Sequence, residues 1–182
     1  GAEGVAVSGR ETLVDVILEN TFLRAHVSRK TGQLVQVWDK CARREVLSGP
    51  GNVLQAIAEV PYEGTAWVLA LSDDADELAR PESVEVVQRG PLEATVRVAY
   101  RYRDSYFTQT ISLSAGSPLV EFALHAYWYE CDRCLKVAFP VAVEGGAATF
   151  EAPLGSIARP ADGAEVPALR WIDVSNDERG VS

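Results

Sequence analysis

The sequence predicts an all-β protein, a large antiparallel β-sandwich with little helix. Three observations carry that expectation. Apolar and polar residues alternate with period two over long stretches, turn residues separate those stretches at short intervals, and one short segment alone has helical character.

The clearest element is Leu92–Arg103. Leu92, Ala94, Val96, Val98, Tyr100 and Tyr102 fall on one face, and Glu93, Thr95, Arg97, Arg101 and Arg103 on the other. A helix would scatter these residues around its circumference, so the segment is a half-buried strand. Arg103-Asp104 turns the chain into a second run, Tyr106–Leu113, which pairs back as a hairpin. After the turn Ala115-Gly116-Ser117-Pro118, a third strand places Val120, Phe122, Leu124, Ala126 and Trp128 on its apolar face, with Trp128 in the core.

Nearer the start, Leu23, Ala25 and Val27 alternate with Arg24, His26 and Ser28. Arg29-Lys30-Thr31-Gly32 then closes a hairpin into Gln33–Trp38. Val53–Ala58 and Ser83–Gln88 are short strands, and Val137–Val143 is another whose Pro140 marks an edge or bulge. Asp73–Arg80 reads as a helix of about two turns that Pro81 stops. The stretch 144–167, rich in Gly and Pro, winds over the sandwich as loops between short strands, and no interior linker divides the chain, which reads as one domain over residues 1–182.

Composition narrows the function classes. Of 182 residues, 47% are hydrophobic and 24% charged, as in a folded globular protein. The excess of 26 acidic over 17 basic residues, a net charge of −9, opposes nucleic-acid binding, which draws on clustered Lys and Arg. No apolar run reaches the roughly 20 residues of a membrane helix. Three cysteines are too few for a disulfide framework and point to a reducing, cytoplasmic setting. Cys131 and Cys134 form a C-x-x-C without the second pair of ligands that a zinc site needs, so they read as structural thiols. The chain has no Met and begins Gly1-Ala2-Glu3, which reads as a piece of a longer protein.

Catalytic constellations are not legible. His26 and His125 stand apart from any Ser, Cys or Asp at triad spacing, and Gly49 and Gly51 precede a strand where a phosphate loop needs a helix. Trp67 and Trp171 lie near loop ends, where an indole beside carboxylates can stack on a sugar, although packing is the simpler role.

A series of strings nevertheless follows a known order. Leu18-Glu19-Asn20 with Thr31-Gly32-Gln33-Leu34, Asp39-Lys40 and Arg44-Glu45-Val46-Leu47 opens it. Gly51-Asn52-Val53-Leu54-Gln55, Gly90-Pro91-Leu92, Gln109-Thr110-Ile111 and Trp128-Tyr129-Glu130 continue it. Leu135-Lys136-Val137-Ala138-Phe139-Pro140, Ala148-Thr149-Phe150-Glu151, Arg159-Pro160 and Arg170-Trp171-Ile172-Asp173-Val174-Ser175 complete it. Together they resemble the C-terminal β-sandwich region of family 38 glycoside hydrolases, the α-mannosidases. Tyr127-Trp128 stands where that family usually reads Asp-Trp, Cys131–Cys134 replaces a basic segment, and the stretch after Pro160 is shortened.

The resemblance implies a mutarotase-like supersandwich that is itself non-catalytic, holds no cofactor and packs against an N-terminal catalytic domain. That domain would carry an Asp nucleophile and the His and Asp ligands of zinc, and the parent enzyme would hydrolyse mannose-containing saccharides with retention. Arg159, Trp171 and Asp173 are then expected at the cleft or domain interface. Two other readings share the fold: a stand-alone carbohydrate-binding module and a mutarotase-like sugar epimerase, the latter needing an acid and a base across a groove.

Overall fold

A computed structural model describes residues 6–64, 69–145, 147–161, 165–178 and 180–181. Trp67 lies outside the described residues. Among those described there is no helix, and sixteen strands form four antiparallel sheets.

The first sheet runs in chain order through β1 (Ser8–Glu11), β2 (Asp15–Glu19), β3 (Leu23–Ser28), β4 (Leu34–Asp39) and β5 (Arg44–Glu45). β6 (Val53–Glu59) and β7 (Leu71–Glu77) begin another sheet. β8 (Ser83–Arg89), β9 (Glu93–Tyr102), β10 (Ser105–Ser114) and β11 (Val120–Tyr127) form a meander in the order β11-β10-β9-β8. β12 (Arg133–Ala138) returns to pair with β6, giving β12-β6-β7. β13 (Ala147–Ala152), β14 (Gly155–Arg159), β15 (Ile172–Ser175) and β16 (Gly180–Val181) make the last sheet, ordered β14-β13-β15-β16.

The alternation read in β9 decides the core. Ala94, Val96, Val98 and Tyr100 are buried, and they pack with Phe107, Ile111 and Leu113 of β10 against Val16 and Leu18 of β2, Ala25 and Val27 of β3, and Leu34 of β4. Two sheets thus meet face to face, as a sandwich requires, and each fully buried Val, Leu or Ile contributes about 1.5–3 kcal/mol relative to exposure. The Leu54 and Ala56 side chains of β6 extend the same cluster into the third sheet.

Two local devices hold the layers in register. Gly32 closes the β3–β4 hairpin at φ +71°, with its N–H donating to the Ser28 carbonyl at 2.8 Å. Its missing side chain matters too, because a Cβ there would fall 2.1 Å from the Tyr100 hydroxyl, which itself donates to the Thr31 carbonyl at 3.1 Å. Asn20, buried between β2 and β3, receives the Phe22 and Leu23 N–H groups at 2.8 Å each, while its amide nitrogen donates to the Ser114 and Ser117 carbonyls at 2.7 and 2.8 Å. One side chain therefore satisfies four backbone groups in turns of two different sheets.

The structure corrects three expectations. The segment 73–80 is not a helix: residues 73–77 belong to β7, paired with β6 through Gln55 opposite Glu77 and Ala56 opposite Asp76, and 78–80 follow the strand. A helix there has no apolar stripe to bury, since Leu78 alone of its apolar residues reaches the core. As a strand, Asp74 and Asp76 share one face and both meet Arg133 of β12, at 3.1 and 3.2 Å. Leu92 does not continue the buried face of β9; it precedes the strand, after the cis Gly90–Pro91 bond, and is exposed. The strand expected at 137–143 begins earlier, at Arg133, and ends before Pro140, which cannot donate to a ladder.

Candidate functional site

Arg159, Trp171 and Asp173 all belong to the last sheet or its border, where backbone pairing fixes which way Arg159 and Asp173 point. Arg159 on β14 stands opposite Ala148 of β13, and Asp173 on β15 stands opposite Thr149. Neighbouring residues of β13 face opposite sides, so the Arg159 and Asp173 side chains leave opposite faces of the sheet. Arg159 lies over the Phe150 ring at 5.6 Å and donates to the Pro167 carbonyl at 3.0 Å. Asp173 accepts from the Ser175 hydroxyl at 2.8 Å. Trp171 is exposed, and its carbonyl accepts from the Glu151 N–H at 3.0 Å.

Beside them stands a residue that sequence reasoning did not single out. The Glu151 carboxylate is nearly enclosed and takes the Arg170 backbone N–H at 2.7 Å as well as its guanidinium. The Arg170 guanidinium holds the Glu151 carboxyl below the usual carboxylate range. A carboxylate kept ionised in this way anchors the segment before β15; it does not donate protons.

A shallow cleft of about 400 Å³ opens where β1 approaches the β2–β3 turn, lined by Val7, Ser8, Glu19, Asn20, Thr21 and Lys40. Glu19 meets Arg24 at 2.7 Å and Lys40 at 2.9 Å. The Arg24 hydrogen bond, reinforced by Lys40, pulls its pKa from 4.5 down to about 2. This carboxylate is likewise unsuited to general-acid work near neutrality. His26 comes within 3.5 Å of Asp15 through the β2–β3 pairing, a proximity that sequence spacing hides, whereas His125 is exposed on β11.

The largest departure from a closed sandwich is at β11. Phe122, Leu124 and Ala126 stand in register with Ile111, Gln109 and Phe107, all three buried, so the core-facing side of the sheet runs on across its edge strand. There it opens to solvent: Phe122 is 37% and Leu124 39% exposed. Phe122 meets Phe139 edge-to-face at 5.4 Å, joining this ledge to Phe139 and Val137, both also exposed. The sequence carries a signal of it, since this third strand has apolar residues on both parities, Ala123 and Tyr127 included. An apolar ledge continuous with a core is the kind of surface that interfaces cover.

Among the described residues, no group of three His, Cys, Asp or Glu side chains could hold a metal ion. The zinc that the resemblance implies therefore finds no ligand set among them. Cys41, Cys131 and Cys134 are free thiols.

The described residues define an antiparallel β-sandwich domain with an apolar edge open to solvent. Its sequence is specific enough to place it: residues 18–182 match the profile of the glycosyl hydrolases family 38 C-terminal domain, and the chain belongs to that family. It is similar to human alpha-mannosidase 2C1, at 28% identity over 187 residues covering 95% of this chain, and equally to the mouse protein of that name. The chain spans 18% of the length of these relatives. In fold it is similar to an alpha-mannosidase from Enterococcus faecalis V583, with a TM-score of 0.70 at 13% identity over 88% of this chain and 22% of that one.

Proposed function

We propose that this domain is a non-catalytic part of a zinc-dependent, retaining α-mannosidase, and that it supports the catalytic domain of the same polypeptide. The observation that carries the reading is the uncovered ledge of Phe122, Leu124, Val137 and Phe139, an apolar surface in a family member that spans a small share of its relatives. Burial of such side chains against a partner domain contributes about 1.5–3 kcal/mol each when complete, which suits a permanent intramolecular interface. Arg159, Trp171 and Asp173 belong in this reading to the rim of the cleft or to the domain boundary. Zinc, the Asp nucleophile and the mannoside subsite belong to the catalytic domain, and three unpaired cysteines accord with a reducing, cytoplasmic compartment.

The test is an assay of the 182-residue chain with an aryl α-mannoside in the presence of zinc. No turnover above background is expected. Robust hydrolysis by the chain alone overturns the non-catalytic assignment.

A further inference from the structure

The outward face of the β9–β11 meander, on the side away from the core, carries a row of three residues in register across three strands. Arg101 stands opposite Tyr106, and Tyr106 opposite Tyr127. The two rings are 44% and 66% exposed, and directly paired side chains on neighbouring strands lie about 5 Å apart at Cβ. The Arg101 guanidinium sits 4.8 Å over the Tyr106 ring and donates to the Arg103 carbonyl at 3.3 Å, which steadies the ring from one side. Among the described residues Arg101 makes no ion pair, although the chain carries a charge of −9, and neither tyrosine hydroxyl has a hydrogen-bond partner.

The next rows flank the rings. Ala99, Thr108 and His125 stand in register, followed by Arg97, Thr110 and Ala123, with Arg97 turned to Glu85 at 2.7 Å, so the side chains next to Tyr106 and Tyr127 on β10 and β11 are His125, threonines and an alanine. Two rings for stacking, a guanidinium with free donors, an imidazole and hydroxyls are the complement of a neutral sugar, with its C–H face and its rim of hydroxyl groups. The ledge on the opposite face of β11 lacks such groups, its exposed side chains being hydrocarbon.

We infer that Arg101, Tyr106, Tyr127 and His125 form a saccharide-binding platform for a neutral α-mannoside chain, separate from the mannoside subsite of the catalytic domain. The choice of sugar rests on the mannosidase reading above; the platform itself rests on the register and exposure of these four residues. Its occupant stacks a pyranose on Tyr127, beside Tyr106, and places hydroxyl oxygens toward Arg101 and His125.

Titration of the 182-residue chain with a linear α-mannotetraose, followed by backbone amide NMR, tests it. Shifts confined to the outward face of β9–β11 are expected. Tyr127→Ala and, independently, Arg101→Ala should each raise Kd by about tenfold, equivalent to about 1.4 kcal/mol, whereas Tyr127→Phe keeps the ring and stays close to the parent value. Phe122→Ser, on the opposite face, should leave Kd unchanged. Both primary targets are exposed, so an unchanged amide spectrum without sugar verifies the fold of each variant. Absence of shifts at saturating sugar, or a Kd indifferent to both Tyr127→Ala and Arg101→Ala, overturns the platform. The hydrolysis assay can fail or succeed without altering this result, so the two readings fall separately.

Discussion

Asn52 and Gln109 face each other across the core and exchange two hydrogen bonds, Asn52 Nδ2 to Gln109 Oε1 and Gln109 Nε2 to Asn52 Oδ1, each at 2.8 Å. Both side chains are buried, and Asn52 holds a left-handed backbone at φ +56°, which asparagine tolerates better than most residues. The pair ties the approach to β6 to the middle of β10. Gln109→Leu should cost about 1–3 kcal/mol by stranding the Asn52 amide. Urea unfolding of the single variants and the Asn52→Leu/Gln109→Leu double variant checks this; a double cost equal to the sum of the singles contradicts a coupled pair.

Gly32 and Tyr100 form a second coupled position. Gly32→Ala should destabilise by about 1–3 kcal/mol, from backbone strain at φ +71° and from the clash with the Tyr100 hydroxyl. In a Tyr100→Phe background the atom 2.1 Å from the new Cβ is gone, so the same substitution should lower the melting temperature less. The contact of the new Cβ with Val98 Cγ1 at 2.6 Å remains in both backgrounds, so equal losses reject the part assigned to the Tyr100 hydroxyl.

Acid should weaken the fold through Glu19. Its pKa in the folded chain is about 2 against an ordinary 4.5, lowered first by the Arg24 hydrogen bond. A depressed value means that its contribution is complete above about pH 4.5 and is lost as pH falls toward 2. The pair is solvent-screened, so about 1 kcal/mol is expected. Glu19→Gln should flatten that part of the stability profile, and an unaltered profile between these pH values would falsify the assignment.

The apolar ledge predicts association. Alone in solution, the chain should self-associate through Phe122, Leu124, Val137 and Phe139, and Leu124→Lys should shift it toward monomer in sedimentation velocity. A parent chain that sediments strictly as monomer at high concentration rules this out.

Where alternation met a covered layer, the sequence was enough: Ala94, Val96, Val98 and Tyr100 are buried as their spacing requires. The same rule misplaced the environment of Phe122 and Leu124, because period two assigns a face and says nothing about whether a second layer reaches it. Asp73–Arg80 misled for a related reason. Its acidic residues and alanines read as a short helix, but the free backbone of β6 and the Arg133 guanidinium select a strand that brings Asp74 and Asp76 to one side. At the candidate site, Arg159, Trp171 and Asp173 follow from the resemblance alone. The opposed orientations of Arg159 and Asp173 come from pairing along β13, a relation between strands that no single stretch encodes. Glu151 escaped notice because its partner Arg170 lies 19 residues away and meets it only through the fold.

Asn20 sets a timetable for the growing chain. Its amide bonds reach Ser114 and Ser117, 94 and 97 residues further on, so the turn between β2 and β3 stays incompletely satisfied until β10 and the turn after it have been made. At ordinary synthesis rates of about 5–20 residues per second that interval is about 5–20 s. During it the first sheet waits with its apolar side open, so faster synthesis shortens the exposure and slower synthesis prolongs it.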